Sequence, residues 1–240
     1  LGQTLAIGLA EFGAKVYLNG RSESKVNKLL KKINLDVEPA IFDITNSDEV
    51  DSFFKSIDNK PIDVLVNNAM SGNSGSIETS TTKDYSLSYD IAVITAHNIV
   101  QNALPNLRLA VEKNGYASVV NIASMYGMVS PDLNIYNDKY SANPPFYGAA
   151  KAALIQWTKY AACEFARENI RFNSISPGPF PSEYVQKNNK SLVKNIEKKV
   201  PMNRIGHPEE LVGALIFLAS NSSSYVTGTN VIVDGGWTSW

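Results

Sequence analysis

Residues 118–124 read Ser118-Val119-Val120-Asn121-Ile122-Ala123-Ser124. The run lacks the polar alternation of a strand wet on one face, so 118–122 reads as a strand covered on both sides. After it come a loop over 123–146 and an alanine-rich helix over 147–168. A strand follows at 171–175, stopped by Pro177-Gly178. Before it, a long helix over 81–104 is expected to end at Pro105. It is preceded by a compact apolar strand, 62–66, ending in Asn67-Asn68-Ala69. Toward the start, strands at 38–42 and 14–18 alternate with helices at 47–58, 22–33 (with Ser22 as N-cap) and 4–12. Toward the end, Pro208 opens a helix to 219, and 230–233 is the last strand. Helices alternating with strands predict an α/β protein, and right-handed crossovers make it a doubly wound parallel sheet. No repeat or linker divides the chain, so 1–240 is expected to be a single domain.

Composition excludes several classes. The chain has 240 residues, 44% hydrophobic and 19% charged, with a net charge of −1. That balance gives no basic field for nucleic acid or an anionic membrane surface. No apolar run approaches the roughly 20 residues a bilayer span needs. One cysteine, Cys163, cannot form an internal disulfide, which fits a cytoplasmic protein. Cys163 itself reads as a small core residue. Two distant histidines, His97 and His207, give no metal-binding pattern.

The chemistry is concentrated at Tyr147-Gly148-Ala149-Ala150-Lys151 and Ser124. Positions i and i+4 share a helix face, so Tyr147 and Lys151 can approach one point. A phenol titrates near 10, too high for proton transfer at neutral pH without help, and a nearby ammonium lowers it. A phenol so tuned exchanges a proton with a substrate oxygen. Ser124 follows a strand at the carboxyl edge, where open α/β sheets bind ligands.

Taken in order, five segments resemble the short-chain dehydrogenase/reductase superfamily in its shorter form. They are Asn67-Asn68-Ala69, Asn121-Ile122-Ala123-Ser124, Tyr147 with Lys151, Asn173 to Gly178, and Val226-Thr227-Gly228 with Val233 to Gly236. The resemblance spans the whole chain and implies a Rossmann-type oxidoreductase of one dinucleotide-binding domain. It makes Tyr147 the general acid/base, with Lys151 lowering its pKa and holding the nicotinamide ribose, and Ser124 orienting the substrate carbonyl. Asn68 and Ala69 would lie on the adenosine side and Asp43 at the adenine edge, with Pro177 and Gly178 beside the nicotinamide. For Asn67 the alternative is a structural amide bracing neighbouring strands.

The second strand ends Leu18-Asn19-Gly20-Arg21. The carboxylate that NAD-binding relatives place at Gly20 is absent, and Arg21 offers a fork suited to a 2′-phosphate. NADP is therefore the expected cofactor. NAD stays possible, because an arginine also stacks on adenine.

Three departures from the family pattern stand out. Only Gly2 of the glycine-rich phosphate loop is present, and the usually central first strand is not in the sequence. The natural protein is thus expected to carry roughly 10–20 further residues before Leu1, leaving 1–240 incomplete at its start. Thirteen residues before Pro105, where many relatives carry an asparagine that supports a proton path, stands Ala92. Asn98 is a poor substitute, since it falls nearly opposite on the helix.

The stretch between Ser124 and Tyr147 is also longer than usual. Its Asp132, Asn134, Tyr136, Asn137, Asp138 and Tyr140 suit a sugar acid, ketose or polyol, or alternatively pack on a neighbouring subunit. The insert and the ending Gly235-Gly236-Trp237-Thr238 resemble gluconate 5-dehydrogenases. A 3-oxoacyl thioester is the competing substrate, with Lys187, Lys190 and Lys194 facing an acidic carrier. A non-catalytic NADP-binding regulator is the competing reading of another class. The resemblance implies a homotetramer or homodimer, with Trp157 and Phe165 packing on a second copy and Trp237 and Trp240 at another subunit contact.

Overall fold

The computed structural model describes residues 1–70 and 73–240. In chain order its main elements are α1 (Gly2–Glu11), β1 (Val16–Gly20), α2 (Glu23–Leu30), β2 (Val37–Ile41), α3 (Ser47–Ser56) and β3 (Val64–Asn67). The second half holds α4 (Thr82–Tyr89), α5 (Thr95–Asn114), β4 (Ala117–Ile122), α6 (Pro145–Phe165) and β5 (Ile170–Pro177). It closes with α7 (Glu183–Asn188), α8 (Lys190–Lys199), α9 (Val212–Ala219) and β6 (Asn230–Val233). All strand pairs are parallel, as the alternating pattern requires.

Among the described residues the strands form two sheets, β1-β2 and β3-β4-β5-β6. β4 and β5 are buried at every position, which matches the unbroken apolar reading of 118–122. β1 and β3 are half-buried, and residues of both line one slot of about 800 Å³. Val16, Leu18, Val64 and Val66 line this slot, and Gly2 and Asn68 sit on its rim.

The larger core lies between β4, β5, α3, α5 and α6, where Val50, Leu107, Val119 and Phe172 are fully buried. Each such side chain contributes roughly 1.5–3 kcal/mol. Trp157 and Phe165 belong to this core: Phe165 stacks on Phe172 at 5.4 Å, and Trp157 meets it edge-on at 6.1 Å. Both stay half-buried while packing on their own chain's core. Trp237 is likewise buried in its own chain, against Met125, Ile196 and Val200. Trp240 is exposed. Cys163 is exposed too, because the buried positions of α6 run through 154, 155, 158, 161 and 162 and leave 163 outside that stripe.

The long helix does not stop at Pro105. It runs on to Asn114 and ends at Gly115, whose φ of +86° is the left-handed conformation glycine favours. Proline removes one ladder bond, yet the next turn is held from outside. The Asn106 amide donates to the carbonyls of Ile57 (3.0 Å) and Lys60 (2.8 Å), and its own carbonyl accepts from Ile62 N–H at 3.1 Å. Upstream, a π turn over Asp90–Ile94 joins α4 to α5.

Candidate active site

Ser124 lies just past the end of β4, where Ile122 pairs with Ile175 of β5. Its hydroxyl is buried and accepts the Tyr126 N–H at 3.1 Å, opening the short 3-10 turn Met125–Gly127. Pro145 opens α6 at the first turn, where its missing N–H costs nothing. Tyr147 and Lys151 then fall on one face, as their spacing predicts.

Two glycines dock the 3-10 turn onto α6. A Cβ on Gly148 would come within 2.7 Å of the Tyr126 carbonyl oxygen, and one on Gly127 within 2.9 Å of the Lys151 carbonyl carbon. Ser124, Tyr147 and Lys151 are therefore set against one another by backbone contact rather than by side-chain packing alone.

Lys151 is 2% exposed, and its ammonium donates to the Ile122 carbonyl at 2.7 Å. Burial lowers its pKa from 10.5 to about 8. The Tyr147 phenol is pushed up by burial, and its hydrogen bond with Ser124 draws it part of the way back. The ammonium stands 5.9 Å from the Tyr147 ring centre and is turned to the strand carbonyl. In this arrangement the expected depression of the phenol by Lys151 is not found, and Ser124 is the group that favours the phenolate.

Asn67 is a brace. Its amide donates to the Asn121 side chain at 2.8 Å, Asn121 donates to the Thr158 hydroxyl at 2.8 Å, and that hydroxyl donates to the Leu154 carbonyl at 2.7 Å. One polar chain thus ties β3, β4 and α6 together beneath the site.

The residues expected around a dinucleotide lie along the same edge. Leu1 provides no side-chain cap, so α1 begins with uncapped N–H groups at Gly2. A Cβ on Gly2 would lie 2.5 Å from the Asn68 amide nitrogen. Ala69 is exposed beside them. Arg21 is 77% exposed and 3.7 Å from Asp43. Asp43 accepts from the Thr45 N–H (2.9 Å) and hydroxyl (2.8 Å), which hold its carboxyl below the ordinary range, with Arg21 adding a smaller share. Ser22 provides no cap to α2 and instead meets Ser24 at 3.1 Å.

Sequence reasoning missed a depression of about 320 Å³ in which Gln3, Arg21, Ser22 and Lys25 converge. At the other end of the edge, Gly178 donates its N–H to Val233 and packs directly on Asp234, and Pro177 closes β5.

Ala92 lies in the π turn, buried against Met70, Ala150 and Leu154. It presents only a methyl group where a relay would need a polar one. The Asn98 side chain accepts from Asn102 one turn along the same helix.

The insert is tied to its own chain at several points. Its Ile135 carbonyl accepts from Asn195 of α8 at 3.1 Å, and Asp132 pairs with Lys199 at 3.0 Å. Glu78 accepts from Lys139 (2.6 Å) and from the Tyr140 hydroxyl (3.2 Å). Tyr136 meets the hydroxyl of Tyr126 at 3.2 Å. The Tyr126–Tyr136 pair went unnoticed in the sequence, since loop residues have no period to bring them together.

Among the described residues, no group of three or more metal-ligand side chains comes together and no helix is long and apolar enough to cross a membrane.

A parallel α/β sheet with serine, tyrosine and lysine converging at its carboxyl edge defines an oxidoreductase of the Rossmann type. The chain belongs to the short-chain dehydrogenase/reductase family: residues 1–238 match the family model described as Enoyl-(Acyl carrier protein) reductase. It is 31% identical over 254 residues to the gluconate 5-dehydrogenase of Gluconobacter oxydans, covering 99% of this chain and 90% of that protein. It is 30% identical over 241 residues to the 3-oxoacyl-acyl-carrier-protein reductase of Thermotoga maritima, covering 98% and 92%. The crystal structure of a gluconate 5-dehydrogenase from Burkholderia cenocepacia in complex with NADP and tartrate superimposes with a TM-score of 0.85 at 27% identity. That match covers 99% of this chain and 90% of the crystallised one.

Proposed function

We propose that this chain interconverts a carbonyl and an alcohol on a small hydroxylated molecule, a ketose, sugar acid or polyol, with NADP(H) as the redox partner. The observation that carries the reading is the convergence of Ser124, Tyr147 and Lys151 against the end of β4. The residues present suit the dinucleotide. The uncapped start of α1 and the bare Gly2 let a pyrophosphate approach, and Arg21, Ser22 and Lys25 offer donors to a 2′-phosphate. Asn68 and Ala69 line the adenosine side, Asp43 the adenine edge, and Pro177 and Gly178 the nicotinamide side. NAD would fit the same cradle without using the cations.

When bound, the nicotinamide supplies or accepts the hydride. The protein's own part is proton transfer and orientation. Ser124 holds the substrate oxygen, and Tyr147 exchanges the proton with it. Lys151, titrating near 8, is ammonium at neutral pH and favours the phenolate once its donors reach toward the ribose. Ala92 removes a polar partner from one route by which that proton could reach water, so the route runs elsewhere or turnover is slow.

The 3-oxoacyl thioester reading draws on the exposed Lys187, Lys190 and Lys194 of α7 and α8, which would face an acidic carrier, and on the relative of that activity. The reading as a regulator without turnover draws on Ala92 alone. The exposed Ile94, in the π turn before α5, and the exposed Tyr160 of α6 suit a homodimer or homotetramer.

The test is absorbance at the nicotinamide band with NADPH or NADH and a panel of keto-sugar acids, ketoses and 3-oxoacyl thioesters. NADPH consumption with a hydroxylated ketone, abolished in Tyr147→Phe, supports the reading. Consumption only with the thioester replaces the substrate. NADPH binding without any turnover favours the regulator.

A further inference from the structure

We infer that the paired hydroxyls of Tyr126 and Tyr136 select the substrate, taking the hydroxyl group next to the reacting carbonyl of a neutral ketose or other α-hydroxy ketone. The inference rests on the proposed carbonyl chemistry and narrows its substrate.

Tyr126 is fixed to the reacting groups at its backbone. Its N–H donates to the Ser124 hydroxyl at 3.1 Å, and its carbonyl rests where Gly148 leaves room beside Tyr147. Its position therefore cannot drift independently of the acid/base pair. Tyr136 arrives from the insert, and its ring packs with Tyr126 around Met125, Ile135 and Trp237. The two hydroxyls stand 3.2 Å apart.

The donor and acceptor count decides what the pair can bind. Two phenols carry two O–H groups, and each oxygen also accepts. One O–H is used between them, which leaves one donor and free acceptor capacity. That set matches an alcohol, which both donates and accepts. A plain hydrocarbon chain would leave it unpaired, at a cost. Burial pushes the Tyr126 phenol well above the ordinary range, with Tyr136 and Tyr147 adding to the rise. Tyr126 therefore stays a neutral hydrogen-bonding group and does not compete with Tyr147 for the proton.

The insert itself offers a ligand hydroxyls rather than free charge, since the cations it engages are paired, Lys199 with Asp132 and Lys139 with Glu78.

The experiment uses the whole protein with NADPH and a matched pair of ketones, 2-hydroxycyclohexanone and cyclohexanone. The wild type should favour the hydroxy ketone in kcat/KM by about tenfold, the worth of one buried hydrogen bond, mostly through KM. Tyr136→Phe and Tyr126→Phe should each collapse that ratio toward one. A variant that merely loosens the loop lowers both rates and leaves the ratio unchanged, and that result in both variants would overturn the inference. Equal use of the two ketones by the wild type would also overturn it, while leaving the carbonyl chemistry intact. Reduction of a keto-sugar acid or 3-oxoacyl thioester but of neither ketone nor fructose would overturn this inference alone, and no NADPH consumption with any of them would remove the carbonyl reading as well.

Discussion

Replacing Lys151 with methionine should change the pH dependence of stability in a calculable way. The ammonium is 2% exposed, and burial lowers its pKa from 10.5 to about 8. A group depressed in the folded state contributes stability that is present above its unfolded pKa and lost as pH falls through the folded one. For Lys151 that window runs from 10.5 down to about 8. At ~1.4 kcal/mol per unit, the shift amounts to about 3 kcal/mol. Near neutral pH the wild type carries this penalty and methionine, of similar length and no charge, does not. Near pH 10.5 the penalty is gone. Urea unfolding of both proteins at the two pH values gives the difference directly, and the raised Tyr147, present in both, cancels. The gap between wild type and variant should close by about 3 kcal/mol as pH rises. A gap that stays constant across the window would mean that the ammonium is not desolvated in the folded protein, and the burial argument would fall. The variant should also lack turnover at every pH.

Three shorter expectations follow from other contacts. Gly148→Ala drives a methyl group to 2.7 Å from the Tyr126 carbonyl, so the 3-10 turn must shift. A stability loss of about 1–3 kcal/mol should accompany a fall in kcat larger than the rise in KM, measured by thermal melts and steady-state kinetics. Arg21→Ala should weaken NADPH binding about tenfold and leave NADH nearly unchanged, read by fluorescence titration with each nucleotide. Asn106→Ala removes a side-chain donor from the Ile57 and Lys60 carbonyls, although Ile57 keeps the Lys60 N–H. It should cost about 1 kcal/mol in urea unfolding without altering KM.

The parts of the fold visible in the sequence were those with a period. β4 could be read because Val119, Val120 and Ile122 are apolar on both faces, and Tyr147 with Lys151 because four residues make one helical turn. The end of the long helix was misread at Pro105, since the side-chain bonds of Asn106 that carry the helix onward are tertiary. The π turn at Asp90–Ile94 has no composition of its own to announce it. Trp157 and Phe165 were expected at a subunit contact, and nothing in their sequence showed that both also meet Phe172, because β5 is brought to them only by the fold. Cys163 was placed inward on its residue type although its phase on α6 is outward. At the site, the identity of Ser124, Tyr147 and Lys151 was legible. The direction in which Lys151 points was not, because it depends on the free carbonyl at the end of β4.

The hydrogen-bonded chain through Asn67, Asn121 and Thr158 also fixes which residue of β3 lies beside which residue of β4. Asn67 pairs with Asn121 in the ladder, and their side chains meet in the same register. Strands that are apolar on both faces carry little register information of their own. Sliding β3 by one residue would turn the Asn67 amide to the opposite face and leave the Asn121 side-chain carbonyl without its donor. Three polar side chains thus act as a key that only one alignment of the sheet accepts.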